Sequence, residues 1–143
     1  MKPGDTHSPV NPRLTADLNT VHGLLLNVHK ALLEHERVRY EAAHGPVLSQ
    51  GELLDLVIRA PWFAWLRTLS GLITQIDEFL CAKEPPSQGA GEALLTRARD
   101  LLSSTDDGSD FHRDYRRALQ ESSEVGHAHG QWKLALLQLD RKS

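Results

Sequence analysis

The sequence predicts an all-α fold, a helical bundle of four main helices plus one or two short helices, on three observations. Apolar residues recur at steps of three and four through most of the chain. Runs of strict apolar–polar alternation, the mark of a strand, are nearly absent. Pro, Gly, Ser and Asp gather in short stretches between the periodic segments, where helices stop. At 143 residues, 40% of them hydrophobic and 24% charged, the chain is long and apolar enough for one core without staples.

Residues 1–12 read as a flexible N-terminal arm and residues 13–143 as a single helical-bundle domain. The arm carries Pro3, Gly4, Pro9 and Pro12 and almost nothing to bury. The first helix has two possible starts, Asn11–Pro12 with Asn as N-cap, or Thr15. Leu14, Leu18, Val21, Leu25, Val28 and Leu32 form one apolar stripe along it, after which the seam meets His35 and Arg39. His44-Gly45-Pro46 ends it, since Gly tolerates a positive φ and Pro cannot continue a helix. A helix of this length runs the full height of a bundle or projects beyond it. Ser49-Gln50-Gly51-Glu52 matches a capping box and opens a short helix over about residues 50 to 59.

A bend is predicted at Arg59-Ala60-Pro61, with Pro61 starting the central helix. Trp62, Trp65, Leu69, Leu72, Ile76 and Phe79 make its wide apolar face, and it packs antiparallel to the first helix as the spine. Lys83 to Gly91 is the clearest linker. Three further helices follow, around Leu94–Leu102, from near Asp110, and from near Ser123, each with one apolar face that needs a neighbour.

Charge and composition exclude several function classes. Sixteen Lys and Arg against nineteen Asp and Glu give a net charge of -3, without the basic excess of a nucleic-acid binder. No segment approaches the roughly 18 continuous apolar residues of a membrane span. The start has no apolar targeting core. One cysteine, Cys81, cannot build a disulfide framework and fits a reducing compartment, so the cytoplasm is the predicted location. Cys81 follows Leu80 at the C-terminal end of its helix, the wrong end for activating a thiolate, and reads as buried or half-buried and structural.

Histidine is the residue type to follow, with eight in the chain. His22, His29 and Glu36 share a face at steps of seven, each about 10.5 Å along the axis, too far apart to hold one cation through their own helix. They read as boundary groups hydrogen-bonded at the edge of a core. Two Glu-x-x-His pairs, Glu41/His44 and Glu124/His127, have the spacing that a carboxylate-bridged di-metal bundle uses twice. Asp77 and Glu36 are the candidates for the remaining carboxylates. This set defines the alternative reading, a ferritin-like or related metal-binding bundle with iron, manganese or zinc. His129 aligns with Val125, Trp132 and Leu136 and reads as a core-edge histidine. Arg113, Arg116 and Arg117 read as the wet face of an amphipathic helix.

Trp62, Phe63 and Trp65 occupy more than one helical face, so one of them reaches past local packing into an interface or a pocket. His29-Lys30-Ala31-Leu32-Leu33, His44-Gly45-Pro46-Val47 and Pro61-Trp62-Phe63-Ala64-Trp65-Leu66 resemble segments of small bacterial all-helical proteins that bring no known activity. The resemblance covers most of residues 20 to 140. It implies a bacterial cytosolic source and transfers no functional residue. The leading functional reading is a non-enzymatic helical protein without a cofactor. It works by self-association, as a dimer, or by contact with another protein. The length of the first helix and the surplus aromatics motivate it.

Overall fold

The computed structural model describes residues 10–84, 86–102 and 109–141. Over these the chain is all-α, but the count differs from the four main helices expected. Six helices form: α1 (Pro12–His44), α2 (Gln50–Arg59), α3 (Leu66–Cys81), α4 (Gln88–Leu101), α5 (Asp110–Glu121) and α6 (Ser123–Arg141). Of the shorter segments, α4, α5 and α6 are full bundle members because each supplies core residues. Ala98 of α4, Phe111, Tyr115 and Ala118 of α5, and Val125 and Trp132 of α6 are buried alongside the long helices.

The spine is α1, 33 residues and about 50 Å long. Of its two possible starts the earlier one forms. Asn11 Oδ1 accepts from Leu14 N at 2.7 Å, Pro12 takes the first helical position, and Asn11 N donates to Gln88 Oε1 at 3.0 Å. The stripe from Leu14 to Leu32 is buried as its period requires, and the helix stops at Gly45, whose φ is 95°. Residues 1–9 lie outside the described residues.

Two pairs of contacts fix α3 antiparallel to α1. The start of α3 meets the late turns of α1 through Trp65 and Glu36. At the other end, Leu14 of α1 and Phe79 of α3 both crowd Gly91 of α4, where an added Cβ would lie 2.6 and 2.8 Å from them. Gly91, in the stretch read as a linker, is thus a helical residue that admits α4 against the spine. The linker ends earlier, at Ser87, whose Oγ accepts from Ala90 N.

The aromatic segment departs from the expected central helix. Pro61–Phe63 is a 3-10 turn, and α3 begins only at Leu66. Phe63 N donates to Ala60 O at 3.2 Å and Ala64 N to Pro61 O at 3.1 Å. The tighter winding divides the three aromatics: Phe63 enters the core, while Trp62 and Trp65 stay half-buried toward α1 and α5.

Candidate functional site

The most unusual group in the molecule is Glu36, a carboxylate with 0% exposure on the core side of α1. Burying an ionised carboxylate is costly unless its oxygens are matched by donors. Here they are. Oε1 accepts from Trp65 Nε1 at 2.9 Å and from Arg117 Nη2, and Oε2 accepts from Arg39 Nη1 at 2.6 Å. The three donors come from the lead-in to α3, from α5 and from α1 itself, so one side chain ties three elements together.

A second tier of charges completes the cluster. Arg117 Nη1 donates to Asp114 at 2.9 Å, and His35 Nε2 lies 2.9 Å from Glu121 Oε1. The same Glu121 oxygen is 3.7 Å from Arg39 Nε and 3.6 Å from Arg117 Nε. The hydrogen bond from His35, aided by the two guanidiniums, holds the Glu121 carboxyl below its ordinary range. Each arginine also covers an indole: Arg39 sits 5.1 Å from the Trp62 ring centroid, Arg117 5.9 Å from that of Trp65. Between these side chains and the start of α5 opens a cleft of about 530 Å³, with Glu36, Arg39, Trp62, Trp65, Phe111 and Arg117 in its walls.

The residues proposed as metal ligands are scattered. Among the described residues no three His, Cys, Asp or Glu side chains converge where a cation could be held, which overturns the metal reading. Glu36 is occupied by arginines and an indole. Glu41 pairs with Arg37 and accepts from Val47 N at 2.8 Å. His44 stacks on Tyr40 at 4.3 Å and meets the edge of Trp62. Asp77 is exposed, 3.8 Å from His22. Glu124 and His127 line a separate groove between α1, α2 and α6. The Glu-x-x-His spacing is therefore helical periodicity without convergence.

The other histidines divide. Tyr115 Oη lies 2.7 Å from His129 Nδ1, so His129 is a satisfied core-edge group, and burial lowers its pKa. His29 departs from that pattern: its Nε2 is buried without a hydrogen-bond partner among the described residues, and burial lowers its pKa too. Cys81 is exposed rather than buried. Arg117, read as part of a wet face, is half-buried in the cluster. A signal for it exists in the sequence, because Asp114, Arg117 and Glu121 recur at steps of three and four beside the apolar Phe111–Tyr115–Ala118 face.

A second region stands out for the opposite reason. In α2, half the side chains are large and apolar, yet none is fully buried. Leu54 and Ile58, one helical turn apart, are 60% and 59% exposed, and Leu48 just before the helix is 82% exposed. Leu53, Leu56 and Val57 pack only partly against the core. On α6, Leu134 and Leu137 are likewise exposed.

Compared with known protein families, with curated proteins and with solved structures, the chain matches none. It stands as a small all-helical protein, and the resemblance noted from three segments adds neither an activity nor a source. Among the described residues, no helix is long and apolar enough to cross a membrane.

Proposed function

We propose that this is a non-enzymatic helical protein that acts by contact with another polypeptide through α2, and that a second copy of the chain is its partner. The observation that carries this reading is the exposure of Leu54 and Ile58, one turn apart on a helix without one buried residue, with Leu48 exposed just before it. The basis differs from the one read in the sequence. Helix α1 spends its length on the core, with buried residues from Leu14 to Glu36, and Trp65 spends its indole on Glu36. A net charge of only -3 offers little repulsion between copies. The cytoplasm is the proposed setting, where the exposed Cys81 thiol stays reduced.

Sedimentation velocity over a concentration series tests the proposal. The expected result is a species of twice the 16.0 kDa chain mass that dissociates on dilution. A monomer at every concentration overturns self-association.

A further inference from the structure

We propose that the cleft beside Glu36 binds a planar aromatic molecule carrying a hydrogen-bond acceptor, a carboxylate or a carbonyl. This rests on the cleft alone and is independent of α2.

The size suits a ligand of one or two rings: about 530 Å³ lies within the range of small-molecule sites, roughly 300–1,000 Å³. Its walls provide ring faces and edges. Trp62, Trp65 and Phe111 all line it, with the Trp65 and Phe111 centroids 5.5 Å apart. Such surfaces favour a flat, polarisable body.

The choice of an acceptor follows from counting what the lining has left to offer. Its buried acceptor is used up, since both Glu36 oxygens are engaged by Trp65, Arg39 and Arg117. Asp114 is engaged by Arg117. The lining carboxylate Asp110 is open to solvent at the rim, so the unmatched capacity inside the cleft is that of donors. Trp62 Nε1 is buried with no acceptor among the described residues. Arg39 commits Nη1 to Glu36 and holds Nε at 3.7 Å from Glu121, which leaves Nη2 without an acceptor among the described residues. Arg113, exposed at the rim, reaches Asp110 and Asp114 only at 3.3 and 3.8 Å. Buried donors in folded proteins are nearly always paired, so the unpartnered Trp62 N–H at an aromatic cleft, with the solvent-reaching guanidiniums of Arg39 and Arg113 beside it, calls for an acceptor from outside the chain. Inside the cleft a cationic ligand would have to displace Arg39 or Arg117 from Glu36 and Asp114, and outside it would meet only the solvent-exposed Asp110 at the rim. An acceptor displaces nothing.

The arrangement also explains why Glu36 is buried here. By holding Arg39 and Arg117 from beneath, it fixes their guanidinium planes against the two indoles before any ligand arrives, which lowers the ordering cost of binding.

The test uses the three tryptophan indole N–H resonances of the full chain, assigned by single Trp→Phe substitutions. The probes are benzoate and indole-3-carboxylate, their neutral amides, and benzylamine as a cation with the same ring. The acceptor probes are expected to shift the Trp62 and Trp65 signals saturably and leave Trp132, which is buried and lines no part of the cleft. Benzylamine is expected to leave all three unmoved. Trp62→Phe keeps a ring and removes a donor that has no partner among the described residues. It should stay folded and weaken binding about tenfold, as should Arg39→Gln. Preference for the acids over the amides assigns a carboxylate, and equal binding assigns the carbonyl they share. The proposal fails if no probe saturates at millimolar concentration, if benzylamine binds as well as benzoate, or if both variants, shown folded by circular dichroism, bind like the wild type.

Discussion

The cluster around Glu36 and the outer face of α2 invert each other. In the first, a carboxylate lies where a leucine would continue the α1 stripe, and every oxygen it buries meets a donor. In the second, leucine and isoleucine lie where polar residues would sit on an ordinary wet face. The buried Glu36 carboxylate is matched within the chain, and the exposed apolar side chains of α2 are covered by nothing among the described residues. A carboxylate tied to three elements points to a part that holds the fold, whereas an uncovered apolar face points outward to a partner. Several substitutions would break or sharpen that contrast.

The largest effect is expected at Glu36. Glu36→Ala removes the buried anion that hydrogen-bonds both Arg39 and Arg117, leaves them only the more distant Glu121 in common, and strands the Trp65 N–H. Breaking a buried pair from one side costs about 3–5 kcal/mol, which urea unfolding would read as a large fall in midpoint. A loss below about 1 kcal/mol would mean that the cluster decorates the fold rather than holding it.

Next comes His29, a half-buried residue whose inner nitrogen fails the standard Glu36 meets. Its Nε2 has no partner among the described residues, so His29→Leu should raise stability by about 1 kcal/mol. The pH dependence has a definite sign. Burial lowers the pKa of His29 and of His129 below the ordinary 6.5, so the unfolded chain takes up these protons first. Stability is therefore full above pH 6.5 and declines as the pH falls through the lowered folded values. In His29→Leu the thermal midpoint should fall less steeply between neutral and mildly acid pH. An unchanged slope would remove His29 from the account.

Much of this contrast was within reach of the sequence, and the part that was not has a specific cause. The α1 stripe from Leu14 to Leu32 fixes which face is buried, but its next step is three or four residues, so the seam continues to His35 or to Glu36. The hydrophobic pattern cannot choose between two polar residues. What selects Glu36 is Arg117, which follows it by 81 residues and which no local rule connects to it. The aromatic segment was read one turn too long because Trp62 and Trp65 fit an α-helical period by spacing alone. Pro61 imposes a 3-10 turn first, and the resulting rotation aims Trp65 at Glu36. The capping box before α2 was legible because it is local. Ser49 Oγ accepts from Glu52 N at 3.1 Å, and Glu52 reaches back to Leu48 N at 3.1 Å. The poor burial of α2 was not legible, because exposure depends on whether a neighbour arrives.

That local cap allows a smaller test. Ser49→Ala removes an N-cap bond, a change of about 1 kcal/mol. Because α2 supplies no buried residue, the cost should appear as faster amide exchange within α2 and little change in global unfolding. Equal loss throughout the molecule would show α2 to be coupled to the core as firmly as the Glu36 cluster is.

The smallest effect on folding is expected from the pair Leu54→Glu and Ile58→Glu, and its smallness makes it informative. Both side chains are more than half exposed, so substituting them should move the unfolding midpoint by no more than about 0.5 kcal/mol apiece. On a shared apolar interface the same two charges would face their own copies across the symmetry axis and would have to be stripped of water. Association measured by sedimentation should then be lost while the monomer keeps its helix content and its midpoint. If the double variant unfolds early instead, Leu54 and Ile58 support the fold. The apolar face of α2 would then be a strained part of the bundle rather than a surface kept for a partner.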